Sequence, residues 1–457
     1  MSKSHRSLIT YAGLALLVGC LMMGCSSGAS DGGSSNVTAA QVEPPGALGS
    51  LDDISDLVGA PDSWYSTRIY ALGPEGDVAG ESLDLAFFWD YTTQTMAFLG
   101  RHGLDQPLAD LDAFDYFNPT DGDPEPFRYS KAVAIGPGVG GDVYVVCNSD
   151  TGSEDEKRSF LVDVNPGAVV ASITDIPPYT DGEFSEGFDI NANYLTVSLE
   201  TEKSGDIIPQ AYTLPGGPFE GIATILGAGA AEPVDINNFD EVVANAEDLT
   251  ATFSVVGFLG QTLNYLPGAT LTTAAAINDS GNIAGTSGDR AFFWEAGSMY
   301  PCGTLGGGTS EAADLNDHDQ VVGSSTTSNG ATHAFVWRLN ANGQGVITDL
   351  GTLGGTNSWA TAINNNGLIV GQSETGDTYT EGGQTLPVVH ACAWYNNVIY
   401  DLGVHNDFYD YPFILPYPFS EAIDVTVDSL GNNIIAGNSY TINQHYRGFV
   451  LNVGPLP

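Results

Sequence analysis

The stretch Asp349–Ser373, DLGTLGGTNSWATAINNNGLIVGQS, followed by HACAW at His390–Trp394, decides the fold because the chain says most of it twice. Just upstream, Gly303–Ser325 reads GTLGGGTSEAADLNDHDQVVGSS and is followed by HAFVW at His333–Trp337. Self-similarity at a period of roughly 40–60 residues marks an array of small units that stack to bury their apolar faces.

Lining up the Ile-Asn-x-x-Gly turn extends the array in both directions. Clear copies are Phe188–Ser198, Val234–Ala244, Ala275–Gly285, Ala313–Gly323 and Thr361–Gly371. Worn copies are Tyr70–Gly80, Val133–Val145 and Val425–Gly437. Asn at the turn bonds its own backbone, and Gly supplies the positive φ of a tight hairpin. An aromatic strand follows: AFFW at Ala86–Trp89 and at Ala291–Trp294, then HAFVW and HACAW. A short turn leads to a strand ending in Leu-Gly, as in Val398–Gly403. Each unit thus predicts four strands, the content of one propeller blade. The expectation is an all-β repeat β-propeller of eight four-stranded blades over residues 48–457, with seven as the alternative because the second copy is faint. Ile54-Ser55-Asp56-Leu57 matches Ile347-Thr348-Asp349-Leu350, so an N-terminal strand is expected to complete the last blade and cover its edge.

Trp89, Trp294, Trp337 and Trp394 share one position in the repeat and read as packing between neighbouring sheets. The Ala-rich strand before Asn278 suits a crowded centre. Cys147, Cys302 and Cys392 are widely spaced and read as buried free thiols.

Residues 1–25 read as a lipoprotein signal. Lys3, His5 and Arg6 precede an apolar run that ends at Gly24-Cys25, and Cys25 is the expected lipidation site. Leu17-Val18-Gly19-Cys20 offers Cys20 as the alternative. Residues 26–47 have the Ser/Gly/Pro bias of a flexible tether. The expected address is the cell envelope, most simply the outer membrane on its periplasmic or outer face, with membrane contact through the N-terminal lipid only.

The chain carries 56 acidic and 12 basic residues, a formal net charge of −44. Nucleic acid and anionic lipid are therefore excluded as partners, since phosphate binding needs clustered cations. No phosphate loop, nucleophile elbow or paired-histidine zinc motif occurs.

The motifs DLGTLGG, AIN-x-x-G-x-IVG and HAFVW, in order across Thr272–Gly403, resemble those of the bacterial extracellular HAF-repeat family. The resemblance runs from about Ile54 to the C-terminus. It implies export and a repeat-sheet architecture, and brings no catalytic residues with it. Arg290 and Arg447 stand where the His would be, and Cys392 stands where the Phe would be.

Long connections between strands are expected at one end of the array: Gly103–Ser130, Ser324–Thr332, Glu374–Val389 and Val404–Phe419. Two of them mix aromatics, Asp and Pro. They make Phe408, Tyr409, Tyr411, Tyr417 and Tyr116 candidate binding residues for a protein or a glycan. Asp121, Asp123 and Asp150 are candidate calcium ligands, although neither acidic run matches a defined calcium loop. The expected function is a non-catalytic binding scaffold; the alternative is a polysaccharide hydrolase or lyase with carboxylates at the channel mouth.

Overall fold

A computed structural model of the chain describes residues 52–53, 67–82, 85–100, 130–150, 157–176, 184–193, 195–201, 207–213, 220–221, 231–248, 251–258, 264–265, 272–381, 383–404, 419–440 and 446–456. Apart from one 3-10 turn at Val139–Gly141, the elements among these residues are β-strands. They form six four-stranded antiparallel sheets and one of eight strands. The six lie in chain order between Thr67 and Gly100, Ser130 and Asp175, Phe184 and Gly221, Ala231 and Tyr265, Thr272 and Pro301, and Gly306 and Asp349. The eight-stranded sheet contains two four-stranded meanders. One comprises Ser358–Ile363, Ile369–Glu381, Gln384–Tyr395 and Val398–Gly403. The other comprises Phe419–Val427, Asn433–Tyr440, Tyr446–Gly454 and the short strand Asp52–Asp53. A single parallel bridge, Val389 to Phe419, joins the two.

The repeated sequence builds each meander the same way. The first strand pairs with the second across the Asn turn and carries a β-bulge in the same place throughout, as at Ala312/Asp314 and Ala360/Ala362. A bulge sharpens the local twist, which suits sheets stacked face to face. The aromatic third strand then packs between sheets. Trp337 is buried beside Phe293 of the preceding sheet, with ring centroids 5.4 Å apart. Trp89, Trp294 and Trp394 are buried in the equivalent clusters. Cys147, Cys302 and Cys392 are buried free thiols.

The last meander packs against the first sheet, with Ile434, Ala436 and Val450 joining Ile69, Leu72, Phe87 and Trp89 in one core. Asp52 and Asp53 pair with Val450 and Phe449. Asp53 therefore occupies the register position of Asp349, which pairs with Phe335. The sequence match had put Asp56 there, and Ile54–Leu57 lie outside the described residues.

Two connections read as loops are largely strand. Ser324–Thr332 narrows to a tight turn closed by Thr327 and Ala331. Glu374–Val389 continues as a hairpin arm, in which Thr378 pairs with Pro387 and Thr380 with Thr385. Its alternating Thr and Tyr residues favour strand, and Gly383 supplies the positive φ its tip requires.

Candidate functional site

The sequence-chosen candidates Phe408, Tyr409, Tyr411, Tyr417, Tyr116, Asp121, Asp123 and Cys25 lie outside the described residues. Asp150 ends the strand Val143–Asp150, opposite Lys157. Among the described residues no group of three or more His, Cys, Asp or Glu side chains is placed to hold a metal ion.

The structure does account for the recurring polar residues. At one end of the array the turn asparagines form a belt. Asn191 donates to the Asn237 carbonyl at 2.9 Å, Asn237 to Asn278 at 2.9 Å, Asn278 to Asn316 at 3.1 Å and Asn316 to Asn364 at 3.0 Å. Each side-chain oxygen also accepts N–H groups of its own turn, as Asn364 does from Asn366 and Leu368. The Asn turns therefore share one end, and the 101–129 and 405–418 connections begin and end at the other.

At that opposite end, a serine on five of the first strands clips the sheet before it. Ser130, Ser185, Ser310, Ser358 and Ser420 accept N–H groups of Ala86, Ser159, Ala291, Ala334 and Ala391 at 2.7–3.0 Å. Ser358 also donates to the Gly351 carbonyl at 2.7 Å. Ser373, on the second strand, accepts from Leu353 N–H at 2.9 Å and so fixes the Thr-Leu-Gly-Gly connection. A further column reaches from the second strand to the next sheet's first strand. Asn148 exchanges two hydrogen bonds with Gly187, and Asn438 exchanges two with Ile69.

The repeated His and Asp are one device. His333 Nδ1 lies 2.9 Å from both carboxylate oxygens of Asp349, and His390 Nδ1 lies 2.8 and 3.0 Å from those of Asp401. The hydrogen bond to Asp349 raises the His333 pKa above 6.5, against the effect of partial burial. Burial works against the Asp349 charge, but hydrogen bonds from His333 and the Gly351 N–H outweigh it and hold its pKa below 3.8. The sign of the linkage follows. The His333 contribution is fully present below pH 6.5 and is lost as pH rises through its higher folded value; the Asp349 contribution is lost as pH falls through its depressed one. Comparing denaturant unfolding of the wild type with Asp349→Asn is therefore expected to show the largest difference from about pH 5 to 6.5, shrinking towards about pH 9. Solvent screening keeps the effect below about 1 kcal/mol. A difference that grows with rising pH would refute the assignment.

What remains after these scaffold bonds is one register position on each first strand, the residue just before the pair at which the bulge begins: Arg68, Lys131, Glu186, Glu232, Thr273, Glu311, Trp359 and Glu421 in chain order. These positions line the loop-bearing end of the innermost strands. Lys131 and Glu186 lie 3.9 Å apart on adjacent sheets. Arg68 lies 5.4 Å from the Tyr70 ring centroid, and the Tyr70 hydroxyl donates to Glu81 at 2.9 Å. Glu421 is buried; desolvation raises its pKa while the Arg68 charge opposes the rise. Glu311 reaches solvent but is crowded enough that partial desolvation raises its carboxyl too. Trp359 pairs across the sheet with Gln372, whose Oε1 is buried without a hydrogen-bond partner among the described residues. The regular offset from the Asn turn would have located this column in the sequence; the loop aromatics drew attention instead.

No family model matches the chain, and no curated protein matches it. Among solved structures, it is similar to the β-propeller domain of the Trilobed protease from Pyrococcus furiosus, at 9% identity and a TM-score of 0.43, over 72% of this chain and 98% of that one. It is similar to the WD40 domain of SCAP from fission yeast at 12% identity and a TM-score of 0.37, over 85% and 84%. It is also similar to TolB from Acinetobacter baumannii at 10% identity and a TM-score of 0.32, over 77% and 86%.

Proposed function

We propose that the chain is an exported, lipid-anchored, eight-bladed propeller that presents its loop-bearing end to a protein or glycan partner without catalysing a reaction on it. One observation carries this reading. The polar residues that recur from unit to unit are committed to bonds within and between sheets, so the repeats make a rigid frame and recognition falls to positions that do not repeat. The six four-stranded sheets and the two meanders of the seventh support the count of eight. The Asp52–Asp53 pairing and the Asn438–Ile69 bonds support closure, because Asn148–Gly187 repeats the second of these between consecutive sheets. The Gly24-Cys25 sequence and the tether that follows support the anchor, which leaves the loop-bearing end for a partner.

The anchor is tested by expressing the full chain in a Gram-negative host with labelled palmitate. Label is expected on the wild type and on Cys20→Ser, and lost from Cys25→Ser; label that survives Cys25→Ser refutes the assignment. Partner binding is tested by thermal unfolding with extracted envelope glycans and proteins, with calcium chelated and supplied. A partner that binds only the folded state raises the Tm. The Tyr409→Ala/Tyr411→Ala variant is expected to lose a rise caused by a loop-bound partner. No rise with any fraction would count against a binding scaffold.

A further inference from the structure

Seven members of the inner column are charged or carry a hydroxyl: Arg68, Lys131, Glu186, Glu232, Thr273, Glu311 and Glu421. The eighth is Trp359. Packing does not account for it, because the repeat already places a different tryptophan, Trp394, in the inter-sheet core of the same meander. Trp359 is only half-buried and stands between Glu311 on the preceding first strand and Glu421 on the following one.

Gln372 is the second observation. Its column holds Asn148, Asn245, Thr286 and Asn438 in four other sheets, and Glu81, Leu199 and Ser324 in the remaining three. The first four side chains each accept an N–H from the next sheet's first strand, from Gly187, Ala274, Ala312 and Ile69 respectively. In the meander that carries Gln372, the bond to the next first strand is made by Thr361, which donates to the Ala422 carbonyl at 2.7 Å. Gln372 Oε1 is left unpartnered in a residue 8% exposed. A buried acceptor without a donor costs about 1–3 kcal/mol, so an amide retained there calls for a donor from outside the scaffold. Residues directly paired across antiparallel strands share a sheet face. Gln372 and Trp359 therefore present to the same side, the side on which Asn148 and Asn438, in the same register, meet the next first strand.

We infer that Trp359, Gln372, Glu311 and Glu421 form a binding site for a neutral saccharide at the loop-bearing mouth of the channel. The inference rests on the binding-scaffold reading and narrows it to one ligand class. An indole face covers the apolar C–H face of a sugar ring. Sugar hydroxyls supply donors to Gln372 Oε1 and to the carboxyl oxygens on either side. Two carboxyl groups beside the ring select against uronic or sulfated sugars, as does a chain of net charge −44.

The test is calorimetric titration of the full chain with a panel of neutral hexasaccharides (malto-, cello-, laminari-, xylo-, manno- and chito-series) and with oligogalacturonate as the anionic control. One neutral series is expected to bind, and oligogalacturonate is not. Trp359→Ala should weaken that binding at least tenfold. Glu311→Gln, at an exposed position where folding is spared, is the second variant and should weaken it several-fold. Gln372→Leu gives a readout that a purely structural role does not: the unliganded Tm rises while sugar affinity falls. A sugar that binds with equal affinity to all three variants overturns the channel site and leaves the scaffold reading standing on its loops. No binding by any neutral series, or preference for oligogalacturonate, overturns the inference outright.

Discussion

Gly371→Ala is expected to destabilise the protein by about 3 kcal/mol, the upper end of what overpacking usually costs, because the contact is with backbone. A Cβ at Gly371 would sit 2.0 Å from the Trp359 carbonyl oxygen and 3.0 Å from the Ala360 Cα. Neither contact is the tip of a flexible side chain, so relief requires the two strands to separate at the bulge. The requirement recurs: Cβ atoms at Gly80, Gly285, Gly323 and Gly437 would meet the carbonyls of Arg68, Thr273, Glu311 and Glu421 at 1.9–2.3 Å. Close approach, not backbone sign, is what fixes the Gly that ends each Ile-Val-Gly motif. Cys147, Ser198 and Ala244 occupy the column in the second, third and fourth sheets, so the effect belongs to the local strand spacing and not to glycine as such. Urea unfolding of Gly371→Ala measures it, and a loss under about 1 kcal/mol would contradict the close-approach account.

Asn316→Ala is the second large effect, expected to cost about 3 kcal/mol. Asn316 is 2% exposed. Its amide donates to the Asn364 carbonyl at 3.0 Å and to Gln320 Oε1 at 2.9 Å, and its Oδ1 accepts from the His318 and Gln320 N–H groups at 3.0 Å. Truncation leaves turn N–H groups and a neighbouring carbonyl without partners. Asn316→Asp retains the acceptors and loses the donors, so it should fall between wild type and Ala. It should also add a charge beside Asp317 and Asp319, which share the turn. Equal stabilities for the Asn, Asp and Ala proteins would show that the belt contributes nothing.

Much of this frame was legible in the sequence because its period carries it. Ile-Asn-x-x-Gly specifies a hairpin locally, and four tryptophans in one register position could only be packing. The bonds between sheets were harder to see. Ser358 bonds Ala334, and Asn364 reaches Thr426 and Asn433. Such partners are a whole unit apart, and a local reading sees only a strand-initial serine or a turn asparagine. His and Asp were visible as separate letters of HAF and DLG, but their pairing depends on the register of the third and fourth strands. The hairpin arm at Glu374–Val389 reads as loop in the sequence because Gly and Thr are common in turns, and its strand character comes from cross-strand pairing. The inner column is hard to read for a different reason: its residue types vary from unit to unit, so no motif marks it, and Trp359 stands out only once the register aligns it with charged and hydroxyl residues.

The two bonds between Asn438 and Ile69 connect residues 369 positions apart, yet they match those between Asn148 and Gly187, 39 positions apart. Chemically, the seam between the final and first sheets is one more ordinary joint. A circular permutant of residues 48–457 opened at Ser328–Asn329, with positions 48 and 457 spliced by a flexible linker, should inherit the same set of joints and lose only what the new gap removes.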